Sequence, residues 1–209
     1  MFISGAESIV TLTSCDIYSN YGEGPYRSAR QGIAGGVYVY QSSQVTLNDC
    51  NIYSNIGKMG YAAGGLNVEG NPVVVLSNCH IYDNYGEQQW GWGSVAGGAR
   101  VTSGTVTFLS CAIHSNEARG FSRGISDGGG VWTGSGSVSF YWCNFHSNAG
   151  SDPNNECQGS PNNVYASSSN VVCIFGFTMD VCGTNSGTIT TCAALPAPSP
   201  SSPPPSAPP

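Results

Sequence analysis

The chain repeats itself, and the repeat leaves room for very few folds. Five segments align on a cysteine, at Cys15, Cys50, Cys79, Cys111 and Cys143, with spacings of 35, 29, 32 and 32 residues. Apolar residues stand five before each cysteine (Val10, Val45, Val74, Val106, Val138) and three before (Leu12, Leu47, Leu76, Phe108, Phe140). Two after stand Ile17, Ile52, Ile81, Ile113 and Phe145, and five after stand Asn20, Asn55, Asn84, Asn116 and Asn148. A glycine pair opens four segments, at Gly35-Gly36, Gly64-Gly65, Gly97-Gly98 and Gly129-Gly130. Units of this size cannot bury an apolar side alone and must stack on one another.

Alternation with period two gives three short strands per repeat, in the second about Val37 to Tyr40, Gln44 to Leu47 and Cys50 to Tyr53. Val37, Val39, Val45, Leu47, Cys50 and Ile52 would then face inward. No segment keeps a 3.6-residue period, and parallel crossovers within a sheet are right-handed. The expected fold is all-β: a right-handed parallel β-helix, a pectate-lyase-like solenoid of about six coils over residues 1–182. The sixth coil is degenerate. It places Val164, Ala166, Val172, Ile174, Phe177 and Met179 inward, with Phe177 in the slot of the ladder cysteine and Cys182 in that of the asparagine. Met1 aligns with Gly36, so further coils of its own full-length chain are expected at the N-terminus. Residues 183–192 read as a cysteine-containing cap, and 193–209 as a Pro/Ser-rich disordered tail.

Only 9% of residues are charged and 29 are glycine, which suits a turn-rich β protein. The net charge of −6 and the lack of a basic run exclude nucleic acid as an expected partner. No apolar run is long enough for direct membrane insertion as a helix. Of nine cysteines, the five in the ladder are expected as free, buried thiols. Cys157, Cys173, Cys182 and Cys192 are disulfide candidates stapling the C-terminal end in an oxidising compartment. No Cys-x-x-Cys or Cys/His pair has zinc-ligand spacing, and no cofactor is expected.

The Gly-Gly-apolar element (Gly36-Val37, Gly65-Leu66, Gly98-Ala99, Gly130-Val131) alternates with an apolar-x-x-Asn element (Ile52 to Asn55, Phe145 to Asn148). This resembles the paired repeat motifs of the chlamydial polymorphic outer-membrane proteins. It is also similar to β-helix repeat proteins of algae and other protists. The resemblance covers residues 1–148 and implies a secreted or surface-displayed β-helix, with adhesion among its roles. The Pro/Ser-rich end resembles the hydroxyproline-rich stalks of plant and green-algal wall glycoproteins. An extracellular or cell-surface location is therefore expected.

Fold alone does not carry function. A polysaccharide-active enzyme (lyase, hydrolase or epimerase) is the alternative reading, and it needs clustered acids or a calcium site. The six aspartates, Asp16, Asp49, Asp83, Asp127, Asp152 and Asp180, include no Asp-Asp pair, and there is no Gly-His-Gly or Arg-x-Lys. Asp83 takes the slot of Ser19, Ser54, Ser115 and Ser147 and reads as a turn residue. No catalytic residue is assigned.

Three residues after each cysteine stand Tyr18, Tyr53, Tyr82, His114 and His146. They read as a stacked aromatic ladder, with a metal or proton site at the two histidines as the sharper alternative. Thr11, Thr46, Val75, Thr107 and Ser139 form a stripe resembling ice-binding arrays, broken at Val75. Segments 21–34, 56–63, 85–96 and 117–128 vary in length and read as loops leaving one corner. They hold Tyr26, Arg27, Arg30, Tyr61, Trp90, Trp92, Arg119, Phe121 and Arg123, a candidate edge for a glycan or a surface protein. The competing reading makes these aromatics plugs under their own loops. The expected function is an extracellular or cell-surface structural or adhesion module.

Overall fold

The computed structural model describes residues 1–24, 32–41, 43–88, 93–120, 125–151, 164–166, 171–175, 181–182 and 188–191. Every strand among them pairs in parallel with a strand one coil away, forming five sheets that run the length of the stack. The second coil passes through all five in turn: Val37–Tyr40, Gln44–Asn48, Asn51–Tyr53, Ile56–Lys58 and Tyr61–Ala63. These are called the first to fifth sheets. No helix occurs among the described residues.

Coil number departs from the expected six. Four coils have all five strands among the described residues, while the first and second sheets each run to seven rungs. Val181–Cys182 lies beside Val164–Tyr165, so Cys182 belongs to the first sheet and does not take the asparagine slot. Thr188–Thr191, within the segment read as a cap, pairs with Val171–Ile174 and extends the second sheet. The expected sixth-coil strands are present at Val164–Ala166 and Val171–Phe175; Phe177 and Met179 lie outside the described residues.

The six residues expected inward in the second coil are all buried. Each continues as a column: Val45, Val74, Val106 and Val138 pair rung to rung, as do Leu47, Leu76, Phe108 and Phe140. Phe108 and Phe140 stack with ring centroids 5.0 Å apart. Burial of such a side chain is worth about 1.5–3 kcal/mol, and the column recurs in every rung. The ladder cysteines are free, and all but the half-exposed Cys15 are buried. Their thiols are held by carbonyls, Cys79 Sγ donating to Ser77 O at 3.3 Å and to Leu47 O of the preceding coil at 3.4 Å.

Two corners of each coil are made by a single residue in the left-handed conformation. Ser14, Asp49, Asn78, Ser110 and Trp142 precede the cysteines, and Ser19, Ser54, Asp83, Ser115 and Ser147 precede the asparagines; all have φ between 51° and 55°. Asp83 is thus a turn residue, as its slot implied. Ser, Asp and Asn tolerate this geometry through short polar side chains, whereas Trp142 bears its strain.

After the second corner the asparagine turns inward. Asn84 Nδ2 donates to Asn116 Oδ1 at 3.0 Å and to Ile52 O of the preceding coil at 2.8 Å. Its Oδ1 accepts from both Asn55 Nδ2 at 3.0 Å and Asn55 N at 3.1 Å. Both protons and both acceptor positions of the buried amide are used. Asn84→Ala would strip partners from Asn55, from Asn116 and from Ile52 O at once. It is expected to destabilise the protein by about 3 kcal/mol, with Asn84→Asp no better because a carboxylate cannot donate; denaturant unfolding measures both.

Candidate functional site

The segments read as loops are two further sheets. The fourth and fifth sheets lie back to back, so the chain leaves the body after each asparagine and returns along its own path. The contact is very close because one side lacks side chains. A Cβ on Gly22, Gly57 or Gly86 would run into the carbonyl oxygen of Ala34, Ala63 or Ala96. Ala118 continues the glycine row one coil on, buried with Ala62 and Val95. The result is a thin fin standing off the solenoid. A sequence signal existed: a glycine or alanine stands two after each asparagine, at Gly22, Gly57, Gly86, Ala118 and Gly150.

On the outer face of the fin Glu23, Lys58, Glu87 and Arg119 pair rung to rung, alternating in sign. Lys58 Nζ lies 3.3 Å from Glu87 Oε2. Arg119, one of the candidate binding residues, has an exposed side chain there. Its Nε donates to Glu117 Oε1 at 2.6 Å, its guanidinium lies 6.0 Å from the Tyr85 ring centroid, and Glu117 raises its pKa. In the chain, residues 24–31, 59–60, 89–92 and 121–124 stand between the paired strands. Tyr26, Arg27, Arg30, Trp90, Trp92, Phe121 and Arg123 fall in these connections, outside the described residues.

Tyr61 faces the body instead of the edge. Its ring lies 4.8 Å from the guanidinium of Arg100, which also sits 5.2 Å from the Trp132 ring. Arg100 is only 2% exposed. Its Nε donates to Ser94 Oγ at 2.9 Å and its Nη1 to Asn67 Oδ1 at 3.2 Å. Ser94 belongs to the fifth sheet and Asn67 to the first, so one guanidinium ties the fin to the body. Burial lowers its pKa to about 10, opposed by the negative Glu69, and the group stays charged at neutral pH. Glu69 accepts a hydrogen bond from Tyr38 at 3.1 Å, and burial together with that carboxylate raises the Tyr38 phenol pKa. Asn67 Nδ2 and Trp132 Nε1 are buried without hydrogen-bond partners among the described residues. Sequence reasoning passed over this cluster because Arg100 stood outside the variable segments. The usable signal was its slot, one residue after the inward Ala99, shared with Tyr38, Asn67 and Trp132.

The third sheet carries the aromatic ladder as expected. Tyr18, Tyr53, Tyr82, His114 and His146 stack with centroid separations of 5.0, 4.9, 5.2 and 4.5 Å and planes within 11° of parallel. Stacking covers both ring faces of Tyr53, Tyr82 and His114. All three histidines of the chain, His80, His114 and His146, lie on this sheet. Burial first, and then His146 and His80, lower the pKa of His114, against the opposing pull of Asp83.

The aspartates with described side chains are dispersed. Asp16 accepts from Asn51 at 2.8 Å and Asp49 from Asn78 at 3.2 Å. Among the described residues no three His, Cys, Asp or Glu side chains are placed to hold a metal ion. Thr11, Thr46, Val75, Thr107 and Ser139 stand in register on the second sheet, whose described strands carry no charged residue. Trp142, an exposed aromatic at a strained corner beside Tyr141, was not singled out from the sequence. Of the disulfide candidates, Cys157 and Cys192 lie outside the described residues, and Cys173 and Cys182 are described only in their strands.

Arg100→Leu removes a buried charge but strips the hydrogen-bond donors from Ser94 Oγ and Asn67 Oδ1; it is expected to cost about 3 kcal/mol. It should speed hydrogen exchange in Tyr61–Ala63 more than in Val45–Leu47, which mass spectrometry resolves. The histidine stack adds a pH dependence. The folded pKa of His114 lies below its unfolded value, so the unfolded chain takes up the proton first and stability falls as pH drops through the range near and below 6.5. The fall in Tm between pH 7.5 and 5 is expected to be smaller in His114→Gln than in the wild type.

No curated protein and no solved structure matches the chain significantly. A family described as the right-handed beta helix region matches residues 2–194. That span takes in the seven rungs, the asparagine column and the fin. The chain belongs to the right-handed β-helix family.

Proposed function

We propose that this chain is an extracellular or cell-surface structural and adhesion module that acts by binding, with glycans or surface proteins held along the edge of the fin. The observation carrying the reading is where length varies. The connections between fourth- and fifth-sheet strands run to eight, two, four and four residues, while the strands they join stay in register. Connections of varying length between strands held in register suit a recognition surface. These connections carry Trp90, Trp92, Tyr26 and Phe121 beside Arg27, Arg30 and Arg123, side chains suited to sugar faces and to protein hot spots. Tyr61 packs against Arg100, while Arg119 keeps an exposed guanidinium on the outer face. The resemblance of the repeat to surface-displayed β-helices and the Pro/Ser-rich end favour a location outside the cell.

The test is a glycan array and a cell-surface binding assay with the full chain, beside a variant carrying Trp90→Ala and Trp92→Ala. Saturable binding reduced at least tenfold in the variant, with unchanged Tm, is the expected outcome. Turnover of a polysaccharide by the wild type would replace this reading with the enzymatic one.

A further inference from the structure

The histidine end of the aromatic column is a ladder of a different kind from its tyrosine end. His114 and His146 are direct rung partners, with ring centroids 4.5 Å apart and planes within 9° of parallel. Each belongs to the same local sequence, His114-Ser115-Asn116 and His146-Ser147-Asn148. In both, the serine is the left-handed corner residue and the asparagine joins the buried amide column. The two side chains therefore leave identical backbone positions in the same direction. His114 Nδ1 lies 3.2 Å from Ser115 Oγ, a contact that can hold one nitrogen and leave Nε2 to carry a ligand. Neither ring makes an ion pair among the described residues. His114 is half-exposed and His146 exposed, so the site is open to solvent.

We propose that His114 and His146 form a two-nitrogen chelating site for a late divalent transition-metal ion, with Zn²⁺ or Cu²⁺ as occupants and water completing the shell. Two imidazole nitrogens bound to one ion at about 2.0–2.1 Å stand about 3–3.5 Å apart. In the stack the in-plane lone pairs of the two rings run parallel, so on binding each imidazole turns about its side-chain torsions to aim one nitrogen at the shared ion, giving up the stack. Imidazole suits these ions over Mg²⁺ or Ca²⁺, whose preferred ligands are oxygens. The site has two protein ligands, since no three candidate side chains are grouped among the described residues. His80, on the neighbouring strand but in the other outward column, is the internal control. The inference is independent of the fin and of any glycan bound there.

The test is calorimetric titration of the full chain with Zn²⁺ at pH 7.5, repeated with His114→Gln, His146→Gln, His80→Gln and Cys15→Ser. The expected result is one equivalent bound by the wild type, weakened at least tenfold in His114→Gln and in His146→Gln, and unchanged in His80→Gln and Cys15→Ser. Cu²⁺ electron paramagnetic resonance should show hyperfine coupling to two nitrogens, reduced to one or none in either variant. Thermal denaturation of each apo variant establishes that it is folded. Absence of Zn²⁺ binding by the wild type at millimolar ion would overturn the proposal. So would binding that survives both histidine substitutions or is lost in Cys15→Ser.

Discussion

A buried amide side chain is tolerable only when every proton and lone pair it carries is satisfied, and the asparagine column meets that condition by repetition. Asn55, Asn84 and Asn116 each donate to the next Asn and to the preceding coil's Ile carbonyl, while each Oδ1 takes the backbone and side-chain donors of the Asn before it. The column sits where the chain leaves the body for the fin. It therefore fixes the register of the third sheet against the fourth, and with it the place where every fin strand begins. A slip of one residue would turn inward side chains outward along a whole strand, so this column and the apolar columns enforce one alignment together.

The fin follows from that registration. Two sheets can lie in near backbone contact only if side chains are missing between them, and the glycine row supplies the gap in every coil that places Gly opposite Ala. Where Ala118 replaces glycine, the fifth-sheet residue paired onward from Ala96 is Gly128, so one of the two facing positions stays small. A structure this thin buries little apolar area of its own. The Arg100 cluster braces it against the body, where a guanidinium lies against two aromatic rings and bonds both sheets. A buried charge is a poor source of net stability, but it is demanding about geometry, and that demand suits a hinge line that must not shear.

The two ends of the aromatic column illustrate how one geometry serves different chemistry. Stacked tyrosines cap the sheet with apolar faces and present hydroxyl edges. Stacked histidines in the same slots carry lone pairs and protons, so the same spacing makes that end responsive to pH and to ions. The backbone does not distinguish the two; side-chain chemistry does.

The period, the apolar alternation and the asparagine slot were sufficient to read the stack, its three body strands and its inward columns, because stacking makes each of these a local property repeated in every coil. The free thiol ladder and the Tyr/His column were legible for the same reason. The fin was not. Its strands, such as Ile56–Lys58 and Tyr61–Ala63, are three residues long and lack apolar alternation, since their partners are backbone and glycine. Residues 183–192 hid another rung because Thr188–Thr191 owes its place to the strand below it more than to its own pattern. Arg100 and Tyr61 stand 39 residues apart in the chain and meet only through the folding of fin onto body. The sequence by itself determined which residues repeat and face inward, through periodic burial. Only the tertiary structure decided which surfaces meet, because contacts between sheets depend on how far the chain travels before it returns.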